Sequence, residues 1–208
     1  RGLHVEDVMA HRRATGSILD FPGATNLEHH DLGLELDCDI LVPAALEHAI
    51  TMDNAARVKA KIIAEAANGP LSADASRYFH EHGVMVVPDA FINAGGVTVS
   101  YFEWLKNLQH VRFGRMEKRF EEKASRQMLS AIEQATGTSF SEDQLGSFAR
   151  GADEIDLVNS GLEETMIKAY HQIREIKQRH KDIDLRAAAM VSAIDKIVTV
   201  YKHRGIFP

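Results

Sequence analysis

The chain has 208 residues, of which 45% are hydrophobic and 26% charged, a composition that suits a folded globular protein and argues against disorder. Its 24 basic and 30 acidic residues leave a formal net charge of -6, so it lacks the basic surplus that drives counterion-release binding to nucleic acid. No run of about 18 apolar residues points to a membrane partner.

The chain opens on Arg1-Gly2-Leu3-His4 with no signal-peptide or lipidation pattern and no methionine, and the expectation is that the natural start lies upstream. The first strand signal is Ile40 to Val42. Beside it stands the single cysteine, Cys38, which rules out an intrachain disulfide, fits a reducing compartment and reads as a small buried hydrophobe. Two further short apolar runs follow at spacings of roughly twenty residues, Lys61 to Ala64 and Val84 to Val87. Helix-favouring segments with capping residues ahead of them separate these runs, Asp53 to Val58 in the first gap and Ser72 to Phe79 in the second. The alternation predicts βαβαβ with parallel strands, part of a doubly wound sheet within the first 96 residues.

Beyond Gly96 the pattern is helical. One helix is predicted from Val97 to about His110, and a second from about Gly114 to Ala135, with Met116, Phe120, Ala124, Met128 and Ile132 on one face. The remaining face, rich in Glu and Lys, reads as solvated. Thr136 to Gly151 is polar and dotted with glycine. A third helix carries Leu162, Met166, Ala169, Ile173 and Ile176, with Ser160 and Glu163 as a capping box at its start. A fourth begins near Asp184 and aligns Leu185, Ala188, Val191, Ile194 and Ile197.

Ligands of an open parallel sheet bind beyond the carboxyl ends of its strands. Here those ends read Pro43-Ala44-Ala45, Ala66-Ala67-Asn68-Gly69-Pro70 and, past Pro88, Ile92-Asn93-Ala94-Gly95-Gly96. Small residues let a flat ligand approach the backbone, and an asparagine amide both donates and accepts. The plainer alternative makes Asn68-Gly69 a turn and Asn93 a helix cap. No G-x-G-x-x-G fingerprint and no phosphate-binding G-K-[ST] loop occurs, so a complete dinucleotide fold is not expected within these residues. Neither G-x-S-x-G nor H-E-x-x-H is present. His29-His30 and His80-Glu81-His82 lack a spaced ligand set, so they read as surface histidines rather than a metal site.

Three strings, Cys38 to Ala45, Lys59 to Pro70 and Asn93 to Asn107, the last reading Asn-Ala-Gly-Gly-Val-Thr-Val-Ser-Tyr-Phe-Glu-Trp-Leu-Lys-Asn, closely resemble glutamate dehydrogenases. The ending from Leu185 to Tyr201 is similar as well. Leucine, phenylalanine and valine dehydrogenases share the domain, but the Tyr101 to Asn107 string looks like the glutamate branch. The resemblance implies an α/β fold, a partial Rossmann-type parallel sheet followed by an all-helical C-terminal region with an antenna-like insertion. Residues 1–110 would be the second part of the NAD(P)-binding domain, 111–160 the antenna-like insertion, and 161–208 helices packing back on the domain.

By the same resemblance, the phosphate loop, the catalytic lysine and the catalytic acid lie upstream, leaving no catalytic residue here. Ala44, Ala45, Asn68 and Asn93 would line NAD or NADP, while Asn93, Val97 and Ser100 would meet the substrate, with Val97 and Ser100 at the side-chain carboxylate of glutamate. The implied partners are L-glutamate, 2-oxoglutarate, ammonia and further copies in a homohexamer, in the cytoplasm or mitochondrial matrix. Two positions depart from the family pattern: Ala66 stands where glycine is usual, and Asn159 replaces a histidine that helps bind inhibitory GTP in animal enzymes. Two other readings are a non-catalytic nucleotide-binding or assembly module and a dehydrogenase of leucine, phenylalanine or valine.

Overall fold

The computed structural model describes residues 2–109, 115–151 and 153–205, and the protein divides into two compact units, 1–86 and 87–208. In the first unit, helix α1 (Val5–Thr15) ends at Gly16, whose left-handed φ of 81° lets its N–H close on Arg12 O at 2.8 Å. No α1 residue is buried, so the absence of an apolar stripe explains why periodicity gives no sign of it.

Strands β1 (Ile40–Leu41), β2 (Ile62–Ala64) and β3 (Met85–Val87) fall where the apolar runs predict them and lie in the order β1-β2-β3. Strands β1 and β2 pair in parallel, Ile40 beside Ile62 and Leu41 beside Ile63. Helix α2 (Ala73–Glu81) bridges β2 and β3 and is capped as expected, with Ser72 Oγ accepting from Ala75 N at 3.3 Å. The first crossover differs from expectation: Asp53 to Val58 forms only a 3-10 turn, Ala55–Arg57. Its backbone is taken up locally, since Asn54 Oδ1 accepts from Thr51 N and Asn54 Nδ2 donates to Ala49 O, each at 2.9 Å. The asparagine thus competes with helix continuation.

The core of this unit gathers Ile50, Ile63, Leu71 and Phe79 with the small Ala55, Ala60 and Ala75. Cys38 is a free thiol packed against it, half-buried rather than fully buried. The 3-10 turn Ala55–Arg57 is tied at the rim to a second one, His30–Glu35: Arg57 donates through Nε and Nη2 to the two oxygens of Glu35 at 2.8 and 2.7 Å, and through Nη1 to Asp53 O. The Arg57 hydrogen bonds hold the Glu35 carboxyl below its usual range. A depressed folded-state value stabilises the fold above the unfolded glutamate pKa, and that contribution disappears as pH falls through the folded one. The melting-temperature gap between wild type and Arg57→Gln is therefore expected at pH 7 and should close as the pH drops below about 4. A gap unchanged on acidification would contradict the pairing.

In the second unit, α3 (Asp89–Ile92) runs through Asn93 into α4 (Ala94–Gln109), three residues earlier than predicted, because Asn93 keeps right-handed helical geometry. His110 and Gly114, the predicted end and start of neighbouring helices, lie outside the described residues. Helix α5 (Arg115–Thr136) matches its predicted span, and Phe120, Ala124, Met128 and Ile132 of its stripe are exposed. The polar stretch that follows hides a short helix, α6 (Glu142–Phe148), opened by a capping box in which Ser141 Oγ accepts from Gln144 N and Gln144 Oε1 from Ser141 N.

Helix α7 (Glu154–Arg179) starts six residues before Ser160. Asp153 outcompetes the expected box: its own N–H donates to Asp156 Oδ2 at 2.8 Å, and its carboxylate pairs with Lys118 and Arg150. The Lys118 hydrogen bond, more than the charge of Arg150, holds the Asp153 carboxyl below its usual range. Helix α8 (Leu185–Arg204) begins where predicted, with Asp184 Oδ1 accepting from Ala187 N at 2.7 Å. Ala188 at its start is buried, whereas Ile194 and Ile197 of the same stripe are exposed.

The base of α5 meets the loop before α7 at Gly151, which is buried; a Cβ there would stand 2.9 Å from Lys118 Cγ and 3.0 Å from Lys118 O. Because one obstacle is backbone, Gly151→Ala should destabilise this docking by about 1–3 kcal/mol. Thermal unfolding of the variant checks this, and a melting temperature equal to wild type would refute the close approach.

Candidate functional site

In the first unit, the loops after β1 and β2 are laced together. Pro43 O accepts from Ala66 N at 3.1 Å and from Ala67 N at 3.0 Å, and further along His48 N donates to Gly69 O and Ile50 N to Pro70 O, both at 2.9 Å. The lacing brings the Ala44-Ala45 loop beside the Ala66 to Pro70 segment at the carboxyl ends of the two strands. Ala44, Ala45 and Asn68 are all exposed, so two methyl groups and an amide face outward from a backbone that is already hydrogen-bonded. Ala66 does not take a left-handed φ, and the methyl that departs from the family pattern is accommodated without backbone strain. His48 does, at 51°, a conformation that non-glycine residues rarely hold outside turns.

Glu65 is a second feature that sequence reasoning passed over. It is fully buried, immediately after β2 and two positions on from the fully buried Ile63. The signal was available, since residues i and i+2 of a strand share a face.

In the second unit, Asn93, Val97 and Ser100 follow one another at intervals of four and three residues, the spacing of one helical face. Asn93 is half-buried at the α3–α4 junction, while Val97 and Ser100 are exposed on α4. Asn93 N donates to Asp89 O and Asn93 O accepts from Gly96 N, each at 3.0 Å. Ser100 Oγ donates back to Gly96 O at 3.1 Å. That bond points the hydroxyl along its own helix and keeps its lone pairs outward, from where a rotation of χ1 redirects the proton.

The junction is seated on the C-terminal helices. Gly95 approaches Leu162 of α7, with 3.7 Å between a built Cβ and Leu162 Cδ1, and the Phe91 ring lies 6.0 Å from that of Tyr170. Behind α4, between it and α7, runs a mainly apolar groove of about 600 Å³ lined by Val99, Phe102, Leu105, Leu157 and Val158, with the Lys106–Glu154 ion pair at its rim. His82 serves local structure: its Nδ1 lies 2.7 Å from Tyr78 O, and its ring stacks on Tyr78 at 4.0 Å. Among the described residues, no three His, Cys, Asp or Glu side chains gather as a metal site requires.

The family model for Glutamate/Leucine/Phenylalanine/Valine dehydrogenase matches residues 1–156. The chain belongs to this family. It is 46% identical over 204 residues to the mitochondrial glutamate dehydrogenase of Dictyostelium discoideum, covering 98% of this chain and 40% of that protein. It is 42% identical over 197 residues to a probable glutamate dehydrogenase of Sinorhizobium fredii, covering 94% and 44%. Among solved structures, the glutamate dehydrogenase of Peptoniphilus asaccharolyticus superposes with a TM-score of 0.61 at 25% identity, over 99% of this chain and 36% of that one. The hetero-hexameric glutamate dehydrogenase of Thermus thermophilus superposes at 0.64 over 100% and 39%, and at 24% identity that likeness speaks for the α/β fold alone. This member of the family spans about 40% of the length of the curated relatives it matches.

Proposed function

We propose that these residues are the cofactor-side part of an NAD(P)-dependent glutamate dehydrogenase, which converts L-glutamate, water and the oxidised cofactor to 2-oxoglutarate, ammonium, the reduced cofactor and a proton. The observation that carries the reading is the Asn93, Val97 and Ser100 face at the start of α4, just ahead of the Tyr101 to Asn107 string that resembles the glutamate branch, in a chain similar to relatives that bear that name. The loop pair at Ala44, Ala45 and Asn68 fits a dinucleotide: small exposed side chains on a hydrogen-bonded backbone let a flat ring approach, and the Asn68 amide can serve a ribose hydroxyl. When bound, the cofactor supplies the hydride acceptor.

Under this reading the chain's own residues bind and orient. Asn93 serves the carboxamide through its amide and borders the substrate, Val97 walls the pocket, and Ser100 donates to the side-chain carboxylate. Proton transfers belong to residues upstream. Residues 1–110 then form the second part of the cofactor domain, 111–160 an antenna-like arm, and 161–208 helices that support the domain. The whole protein assembles as a homohexamer, in the cytoplasm or in the mitochondrial matrix. No helix among the described residues is long and apolar enough to cross a membrane.

The test is intact mass of the native protein together with reduction of NAD and NADP followed at the nicotinamide absorbance. Glutamate should support reduction well above leucine, phenylalanine or valine. Preference for one of the latter reassigns the substrate, and a native product of this length without activity would leave only a nucleotide-binding or assembly role.

A further inference from the structure

The one-turn helix α3 cannot hold itself, because a single turn fixes several dihedrals for few hydrogen bonds. It nevertheless sets Asn93: Phe91 N and Ile92 N close on Pro88 O, and Asn93 N on Asp89 O, all at 3.0 Å. Asp89 is the point at which this turn is anchored from outside. Its Oδ1 accepts from Ala90 N at 2.8 Å, and the same oxygen accepts from Arg186 Nη1 at 2.8 Å, across 97 positions of sequence. Both side chains are shielded, 32% exposed for Arg186 and 21% for Asp89, which preserves the strength of the pair against solvent screening.

Arg186 is the second residue of α8, behind the Asp184 cap. A cation at a helix N-terminus opposes the helix dipole, so α8 itself gains nothing from an arginine there. The benefit falls on α3, whose first turn carries the carboxylate. We propose that Arg186 is a positioning residue for the substrate face: through Asp89 it fixes the α3–α4 junction and with it the placement of Asn93, Val97 and Ser100. Helix α8 thereby takes part in setting the geometry of the site although none of its residues needs to touch the substrate. The inference rests on the glutamate dehydrogenase reading for its kinetic consequence, but the anchoring itself is independent of that reading.

The experiment uses the full-length protein as wild type, Arg186→Gln, Asp89→Asn and the double variant. Asparagine keeps an acceptor for Ala90 N while removing the charge. Each single variant should lower kcat/KM for glutamate by about tenfold, as a small misplacement of orienting groups does. The double variant should be no worse than the poorer single one, the mark of a shared interaction. Without substrate, hydrogen exchange of the 88–96 peptide should rise about tenfold in both single variants while the α5 peptides stay unchanged. Unaltered exchange at the junction, or strictly additive losses in the double variant, would overturn the proposal. A wild type with no glutamate activity would sink the enzymatic reading instead, leaving exchange to decide the anchoring.

Discussion

Replacing Phe79 by alanine lowers the stability of the first unit by about 3–5 kcal/mol, the range for deleting a buried aromatic side chain. The ring is 1% exposed on α2 and shares its core with Ile50, Ile63 and Leu71. The other core positions on the helical side, Ala55 and Ala75, are too small to collapse into the space, so the cavity term adds in full to the lost transfer energy. Because the same core underlies β2, the loss should loosen the laced loops bearing Ala44, Ala45 and Asn68. Chemical denaturation of wild type and Phe79→Ala measures the difference, with Phe79→Leu as a milder companion. A loss below about 1 kcal/mol for the alanine variant would mean that the core does not depend on this ring.

Changing Ser100 to alanine should raise the glutamate KM by about tenfold to a hundredfold, the equivalent of one hydrogen bond to a charged group. The hydroxyl is exposed on α4 and donates to Gly96 O at 3.1 Å, a weak local contact that a substrate carboxylate can replace. Loss of the donor leaves a methyl group next to Val97, so the same variant should act relatively better on apolar amino acids. Selectivity is the sharper readout, because a site built to hydrogen-bond a group discriminates strongly against analogues that lack it. Unchanged ratios of glutamate to leucine or valine turnover would remove Ser100 from the substrate pocket.

The two expectations draw on different depths of information. The buried role of Phe79 follows from the pattern of α2, where Ala75, Ser76 and Phe79 turn inward behind a serine cap that the sequence displays openly. The roles offered for Ser100, Val97 and Asn93 come from family resemblance; periodicity supplies only that they share a helical face.

By itself the sequence determined the three strands to within a residue or two, the starts of α2 and α8, and the span of α5, because each is encoded locally by a short apolar run, a capping side chain or a four-residue stripe. Helices α1 and α6 escaped notice since neither buries a residue, although Ser141 and Gln144 carried a readable capping box. Tertiary structure helped decide where α7 begins, as Asp153 is favoured over Ser160 by Lys118 of α5, which joins the local partners Arg150 and Asp156. It also decided that Asp89 is held by Arg186, and that the loops after β1 and β2 are laced through Pro43 O. Contacts between residues far apart in the chain leave no periodic trace in either segment, since each partner by itself is an ordinary charge or an ordinary carbonyl.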